Sequence, residues 1–259
     1  MFGLRSSLRR WIKEVCVRLW KWKGVAAAFA LGAMALSAQA AIVITGTRVV
    51  YPEQSREVNV RLSNVETAPV LVQAWIDDGN ADANPDQIKV PFVLTPPVFR
   101  VEPKKGQTLR IMYTSANLPA DRESVFWLNV QEIPPQPTNA EETNLLQLAF
   151  RTRIKLFFRP TALQDGPSGQ SLTWRVAHDD KGQSILRVDN PSPYYVSFSR
   201  VALKAGDKEI RFDPAMVPPF DHVSLTQPQG AHRTFERGTV SYKLLNDYGA
   251  EVAGSATVE

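Results

Sequence analysis

The sequence predicts an all-β protein of two sandwich domains behind an N-terminal export signal, and three observations support this class. Apolar and polar residues alternate with period two in many short runs, which is typical of half-buried β-strands. No long segment of 41–259 carries the 3.6-residue apolar period of an amphipathic helix. A segment rich in Gly, Pro and Ser, Thr161–Gln170, separates the runs into two groups and predicts a domain boundary.

The first 40 residues have the composition of a secretory signal peptide. Residues 1–24 are rich in basic residues, Val25–Ser37 is a short apolar run, and Ala38-Gln39-Ala40 is a small-x-small cleavage site. We therefore expect cleavage after Ala40. An uncleaved anchor is the alternative, although the run is shorter than the ~20 apolar residues of a comfortable membrane span. Arg9-Arg10 weakly resembles a twin-arginine signal but lies far from the apolar run.

Charge and cysteine content exclude several classes of protein. The chain carries a formal net charge of +4, but residues 1–40 hold seven of its 30 basic residues and one of its 26 acidic residues. The remaining 23 basic and 25 acidic residues give 41–259 a net charge of −2, whereas a nucleic-acid binder usually has a basic domain. The single cysteine, Cys16, lies in the expected leader, so we expect neither a disulfide nor thiol chemistry in the exported chain.

The first domain, 41–162, contains seven runs with strand character. Seven short strands with turn residues between them are typical of an immunoglobulin-like sandwich. Thr95-Pro96-Pro97 lies within one run and predicts an edge or a corner, because a central strand cannot accommodate this sequence. The seven runs are Ala41–Tyr51, Glu57–Asn64, Val70–Asp77, Pro91–Val101, Thr108–Tyr113, Ser124–Ile133 and Asn144–Pro160.

The last of these runs, Asn144–Pro160, is the longest. Its even positions from Leu146 to Phe158 are apolar except for Thr152, and its odd positions from Gln147 onward are mostly polar or basic, which favours a strand. At ~3.3 Å per residue it would span roughly 50 Å, more than a small sandwich needs. One interpretation is a long interior strand. The other is that half of the strand pairs inside the domain while the other half offers its edge to another chain.

The second domain, 163–259, is predicted to be a smaller all-β domain of six strands. These strands are Ser171–Ala177, Gln183–Val188, Tyr194–Leu203, Lys208–Phe212, Thr239–Leu244 and Glu251–Val258.

Signals for enzymatic chemistry are poor, and we expect neither a catalytic site nor a metal, cofactor or small-molecule substrate. His178, His222 and His232 are scattered without metal-ligand spacing. The sequence contains no nucleophile elbow, P-loop or glycine-rich dinucleotide turn. Asp77-Asp78 and Asp179-Asp180 lie in segments typical of solvated turns.

Six segments, in order and spacing, closely resemble the periplasmic pilus (fimbrial) chaperones of the PapD-like family. The resemblance extends over nearly all of 41–259. The segments are Thr47–Tyr51, Thr95–Pro97, Leu118–Pro135, Ile154–Pro160, Asp189–Tyr195 and Asn246–Gly249.

The resemblance implies a fold, a function and two partners. Two immunoglobulin-like sandwiches would meet at an angle in a boomerang arrangement, in the periplasm, and bind unassembled pilin subunits for delivery to an outer-membrane usher. Each pilin lacks the last strand of its own fold, and the chaperone would fill the apolar groove by donor-strand complementation. The exposed strand edge, for its part, predicts self-association of the free protein as a self-capping homodimer, relieved when a subunit occupies the cleft.

Particular residues follow from the resemblance. By position, Leu146, Leu148 and Phe150 would be the donor-strand side chains that fill the groove. Arg48 and Lys155 would bind the C-terminal carboxylate of the pilin, which needs charge-assisted donors once it leaves water. The resemblance also implies a buried ion set that would fix the angle between the domains, formed by Arg110, Glu123 and Asp247.

Two other classes of protein remain open on the residues alone. An exported adhesin or carbohydrate-binding module would have aromatic residues clustered on an exposed loop platform and would not depend on Lys155. An exported enzyme would need a polar pocket.

Overall fold

The computed structural model describes most of the chain after residue 40. The described residues are 41–115, 117–134, 148–163, 166–169, 171–178, 182, 184–228 and 233–258. Within these ranges, no helix is both long and apolar enough to cross a membrane.

In the described residues, the first sandwich has nine strands in two sheets. Four strands form one sheet in the order β1-β3-β7-β5, and five form the other in the order β2-β9-β8-β4-β6. The strands are β1 (Ile42–Ile44), β2 (Arg48–Pro52), β3 (Val58–Asn64), β4 (Val70–Asp77), β5 (Phe92–Thr95), β6 (Val98–Val101), β7 (Gly106–Tyr113), β8 (Ser124–Ile133) and β9 (Arg151–Arg159).

Alternation along the strands builds the core between these two sheets. Leu62, Leu109, Leu128 and Leu156 lie at inward positions of four different strands and are fully buried. Tyr51 is also fully buried, and its hydroxyl accepts a hydrogen bond from the backbone N–H of Tyr113 and donates to the chain near Ser55. This hydroxyl therefore joins β2 of one sheet to β7 of the other.

Two of the predicted runs each form two strands. Ala41–Tyr51 is interrupted at Gly46, which has a φ of 97°, so that β1 pairs with β3 while β2 pairs with β9 of the other sheet. Pro91–Val101 is interrupted at Pro96-Pro97, and the strands on either side, β5 and β6, are edge strands of different sheets. The prediction of an edge or corner at these prolines is confirmed.

The described part of the second sandwich contains eight strands, two more than predicted. One sheet has the order β10-β11-β15 and the other β13-β12-β16-β17, with β14 also paired to β12. The two strands that were not predicted are β14, which has two residues, and β15, in which Val223 and Leu225 alternate with polar residues. The strands are β10 (Thr173–His178), β11 (Ser184–Asn190), β12 (Val196–Ala205), β13 (Lys208–Phe212), β14 (Met216–Val217), β15 (Asp221–Leu225), β16 (Gly238–Leu245) and β17 (Glu251–Val258).

Of the long predicted strand Asn144–Pro160, residues 144–147 lie outside the described residues, and the described part has two different halves. The strand is β9, Arg151–Arg159, and residues 148–150 precede it without strand assignment. β8 pairs with β9 along one side, whereas β2 pairs along the other side only from Lys155 to Arg159. Among the described residues, no strand pairs with 151–154 on that second side, so this half of β9 has a free edge.

Candidate functional site

Arg48 and Lys155 lie side by side where the two sandwiches meet. They are register partners in the parallel pair β2–β9. Each reaches the second sandwich, because Arg48 Nη1 donates to the carbonyl of Leu245 at 3.1 Å and Lys155 Nζ donates to Ser197 Oγ at 3.1 Å. The pairing of strands that are distant in sequence therefore places two cations in one cleft.

These two cations have no direct carboxylate partner in the described part of the chain. No ion pair to Arg48 or Lys155 occurs there, although both side chains are half-buried. Arg48 Nε is buried without a hydrogen-bond partner. Burial, and then the nearby charge of Arg48, lower the pKa of Lys155 to about 8. An anion between the two side chains would relieve this deficit.

Aromatic rings cover the same site. The Arg48 guanidinium lies 5.7 Å from the centroid of the Phe157 ring, and Lys155 Nζ lies 5.7 Å from the Trp127 ring. Phe157 in turn packs against Tyr195 of the second sandwich, with ring centroids 5.8 Å apart. Because these rings exclude water, an ion bound here would interact more strongly with the cations than it would at an open surface.

A buried ion set crosses between the sandwiches next to this pair. Arg159, the last residue of β9, donates from Nε to Glu123 Oε1 at 2.9 Å. Its Nη1 and Nη2 atoms donate to the two carboxylate oxygens of Asp247 at 2.7 and 2.8 Å. The other Glu123 oxygen accepts from the backbone N–H of Tyr195 at 2.9 Å. Glu123 is therefore bonded to both sandwiches.

Burial and the neighbouring partners act in opposite directions on the pKa values of Arg159 and Glu123. Burial alone would lower the pKa of Arg159, but its hydrogen bonds to Asp247 and the nearby charge of Glu123 raise it overall. Burial raises the pKa of Glu123, and the contacts with Tyr195 and Arg159 oppose that rise.

The assignment of Arg110 to the ion set is wrong. Arg110 lies on β7 in the four-stranded sheet, where it is exposed and paired with Glu57. The cation that contacts Glu123 and Asp247 is Arg159. A signal for Arg159 was present in the sequence, because with period two it lies on the same face of β9 as Lys155.

The predicted donor-strand positions are apolar and exposed where the structure describes them. Leu148 is 58% exposed and Phe150 is 37% exposed, whereas Leu156, in the same alternation on β9, is 0% exposed. The carbonyl of Phe150 still accepts a hydrogen bond from the N–H of Glu132 at 2.9 Å, so pairing with β8 continues beyond the end of β9. Leu146 lies outside the described residues.

The fold and this site define a two-domain immunoglobulin-like sandwich protein with a cationic interdomain cleft beside a free strand edge. The model for the family "Pili and flagellar-assembly chaperone, PapD N-terminal domain" matches residues 41–164. The model "Pili assembly chaperone PapD, C-terminal domain" matches residues 168–256. The chain belongs to the PapD family of pilus-assembly chaperones.

Curated relatives agree with this membership. The probable fimbrial chaperone YadV of Escherichia coli (strain K12) is 46% identical over 228 residues, which cover 86% of this chain and 92% of YadV. The chaperone protein FimB/FhaD of Bordetella pertussis (strain Tohama I) is 42% identical over 250 residues, covering 92% of this chain and 98% of the relative.

Solved structures show the same fold. The crystal structure of the YadV chaperone has a TM-score of 0.71 and 43% identity, with 84% of this chain and 100% of that chain covered. The complex of the Salmonella enterica SafA pilin with the SafB chaperone has a TM-score of 0.69 and 28% identity, with coverages of 85% and 98%.

Proposed function

We propose that this protein is a periplasmic chaperone that binds unassembled pilin subunits by donor-strand complementation, prevents their aggregation and delivers them to an outer-membrane usher. The observation that carries the proposal is the Arg48–Lys155 pair, which lacks an anion in the described chain and lies at the end of the free edge of β9. The SafA–SafB complex, in which a similar chaperone holds a pilin, supports it. The proposal assigns no catalysis, because the family is a chaperone family.

A C-terminal carboxylate is the anion that this site fits best. Arg48 and Lys155 supply charge-assisted donors at one end of the free edge, and a strand ending there would have unpaired backbone to offer along 151–154. The residues of the partner that precede its carboxylate would pair with β9 residues that precede Lys155. The partner strand therefore runs parallel to β9, as β2 does.

Exposed apolar side chains supply the other half of the interaction. Leu148 and Phe150, with Leu146 before them, lie in the phase of β9 that builds the core further along. In a pilin with an incomplete sandwich they would replace the missing inward-facing side chains. Covering this edge also explains why the free protein would form a self-capping homodimer.

The ion set of Arg159, Glu123 and Asp247 has an orienting role in this proposal. It links the end of β9 to the turn after β16, so it would hold the second sandwich at a set angle to the first. A buried ion set contributes little net stability compared with apolar packing, which is why we assign orientation to it and not stability.

Co-purification tests the function directly. The protein, expressed in the periplasm together with a candidate pilin subunit, should be recovered as a one-to-one complex. A carbohydrate-binding module would instead bind glycan resin and leave the subunit unbound, and an enzyme would not retain the subunit. Either of these outcomes would contradict the proposal.

The affinity for a pilin C-terminal peptide should fall as the pH rises above 8. Lys155 loses its proton near pH 8 in the free protein, and a bound carboxylate requires the charged form, so binding takes up a proton in this range. Affinity should decrease by up to about tenfold per pH unit between pH 8 and 9.5. Titration calorimetry at several pH values measures this, and Lys155→Arg is the control that should show no such decrease.

Export should remove residues 1–40 and leave a mature protein that starts at Ala41, with domains at 41–162 and 163–259. The expectation depends on the small-x-small site Ala38-Gln39-Ala40. Intact mass spectrometry of the periplasmic protein measures it. A mass that includes the leader would contradict both the cleavage site and the proposed route of export.

A further inference from the structure

A cluster of charged and polar side chains surrounds a buried carboxylate at the start of β9, on the outer face of the five-stranded sheet. We define the Asp77 cluster as Asp77 of β4, Asn129 of β8, and Arg151 and Arg153 of β9. The side chain of Asp77 is 0% exposed, which is unusual for a carboxylate and requires compensation. Burial alone would raise the pKa of Asp77, but hydrogen bonds from Arg153 and Asn129 lower it overall.

Hydrogen bonds connect all four members across three strands. Arg153 Nε and Asn129 Nδ2 donate to Asp77 Oδ2 at 3.0 and 2.7 Å. Arg151 donates from Nε and Nη2 to Asn129 Oδ1 at 2.9 and 2.7 Å, and from Nη1 to the carbonyl of Ala81 at 2.7 Å. Both arginines of β9 are therefore held by strands of the chaperone itself.

Two indole rings hold the guanidinium groups from the side. Arg151 lies 4.8 Å from the centroid of the Trp75 ring, and Arg153 lies 4.2 Å from that of Trp127. A long arginine side chain normally keeps many rotamers on an open surface. Here hydrogen bonds and stacking select one arrangement for each.

The location of the cluster coincides with the half of β9 that lacks a second neighbour. Residues 151–154 pair only with β8 in the described chain, whereas 155–159 lie between β8 and β2. This part of β9 has backbone hydrogen bonds on one side only, and the exposed Leu148 precedes it. Without other support such a strand end would fray. The side-chain bonds of the cluster occur at the positions where the second set of backbone bonds is missing.

We propose that Asp77 and Asn129 are positioning residues, which hold Arg151 and Arg153 so that the free edge of β9 is extended before a partner strand arrives. This inference rests on the proposed function, since it concerns the edge to which the pilin strand would be added. An edge that is already ordered loses less conformational entropy on binding, which favours faster and tighter association. The cluster therefore prepares the strand, whereas Arg48 and Lys155 bind the partner.

Hydrogen exchange of the free full-length chaperone tests the ordering without any pilin. In Arg151→Met the guanidinium is lost, while Arg153 and Asn129 still donate to Asp77, so the buried carboxylate keeps these partners. We expect the amides of 150–153 that pair with β8 to exchange at least threefold faster, while amides of β12 and the melting temperature stay unchanged. Asp77→Asn should accelerate the same amides more, with a lower melting temperature. Unchanged exchange at 150–153 in Arg151→Met would overturn the inference.

The matched control comes from the second sandwich, where Asp189 holds Arg175 and Arg187 in a similar arrangement. Arg175→Met should leave exchange at 150–153 and pilin association unchanged.

Association kinetics with a purified pilin complete the test. Arg151→Met should slow association by about three- to tenfold, both with the pilin and with a short C-terminal peptide, because the peptide would pair with the same edge of β9. If exchange is faster but association is not slower, the inference fails and the proposed function stands. If Lys155→Ala associates like the unmodified protein, the proposed function fails, while the exchange result still decides whether the cluster orders the strand.

Discussion

Arg48→Ala or Lys155→Ala is expected to abolish pilin capture while the protein stays folded. A charge-assisted contact to a desolvated carboxylate is worth roughly 2–5 kcal/mol, which corresponds to an affinity loss of about 30-fold to several thousand-fold. The fold should lose little, because neither side chain forms an ion pair in the described chain and Lys155 is held there at a depressed pKa. Capture of a pilin C-terminal peptide and melting temperature, measured on the same preparations, provide the two readouts.

Lys208→Ala is the matched control for this pair. Lys208 is an exposed lysine of β13, and it pairs with Ala205 at the end of β12 that is farthest from Ser197. Its removal should therefore change neither pilin capture nor the melting temperature. Undiminished capture by both cleft variants would contradict the assignment of the carboxylate site. A large fall in melting temperature for either variant would show that the side chain supports the fold instead.

Leu148→Glu is expected to remove capture while leaving the melting temperature of the free chaperone nearly unchanged. Leu148 is exposed in the free chain, and surface substitutions usually change stability by about 0.5 kcal/mol or less. In the complex the change would lose the ~1.5–3 kcal/mol of one buried leucine and would also force a carboxylate into an apolar groove. Backbone pairing along the edge cannot offset both penalties.

Two control variants distinguish a donor-strand position from a position in the chaperone's own core. Leu156→Glu alters the same phase of β9 at a fully buried position, so it should unfold much of the protein. Val98→Glu alters an exposed apolar residue of β6, at the opposite edge of the same sheet, so melting and capture should both persist. If Leu148→Glu melts as Leu156→Glu does, this position belongs to the core. If it captures pilin as Val98→Glu does, the donor strand lies elsewhere.

Local pattern was sufficient for most of the strands. Period two in Val58–Asn64, Val70–Asp77 and Ser124–Ile133 predicted the structure closely, because each of these strands turns one face to the core. Met216–Val217 in the second sandwich was not predicted, because two residues are too few to show a period. Asp221–Leu225 was missed although Val223 and Leu225 alternate with polar residues. The split of Ala41–Tyr51 between two sheets was also missed, because both parts are apolar and only a turn at Gly46 separates them.

The ion set shows where a resemblance between sequences reaches its limit. The resemblance grouped Glu123 and Asp247 with Arg110, whereas in the structure both contact Arg159 and Arg110 pairs with Glu57. Arg110 and Arg159 are both strand arginines, and residue type alone does not show which of them contacts the two carboxylates. The phase of β9 places Arg159 on the same face as Lys155, whereas Arg110 lies on β7 of the other sheet.

By itself, the sequence determined the all-β class, the phase of each long strand and the apolar character of Leu148 and Phe150, since these depend on neighbours within one strand. Only the tertiary structure decided that β2 pairs beside β9 from Lys155 onward and leaves 151–154 with a free edge. It also decided that Asp77 and Asn129 support that edge. Contacts of this kind join residues tens of positions apart, and they depend on which strands become neighbours when the core closes. Local alternation does not encode that choice.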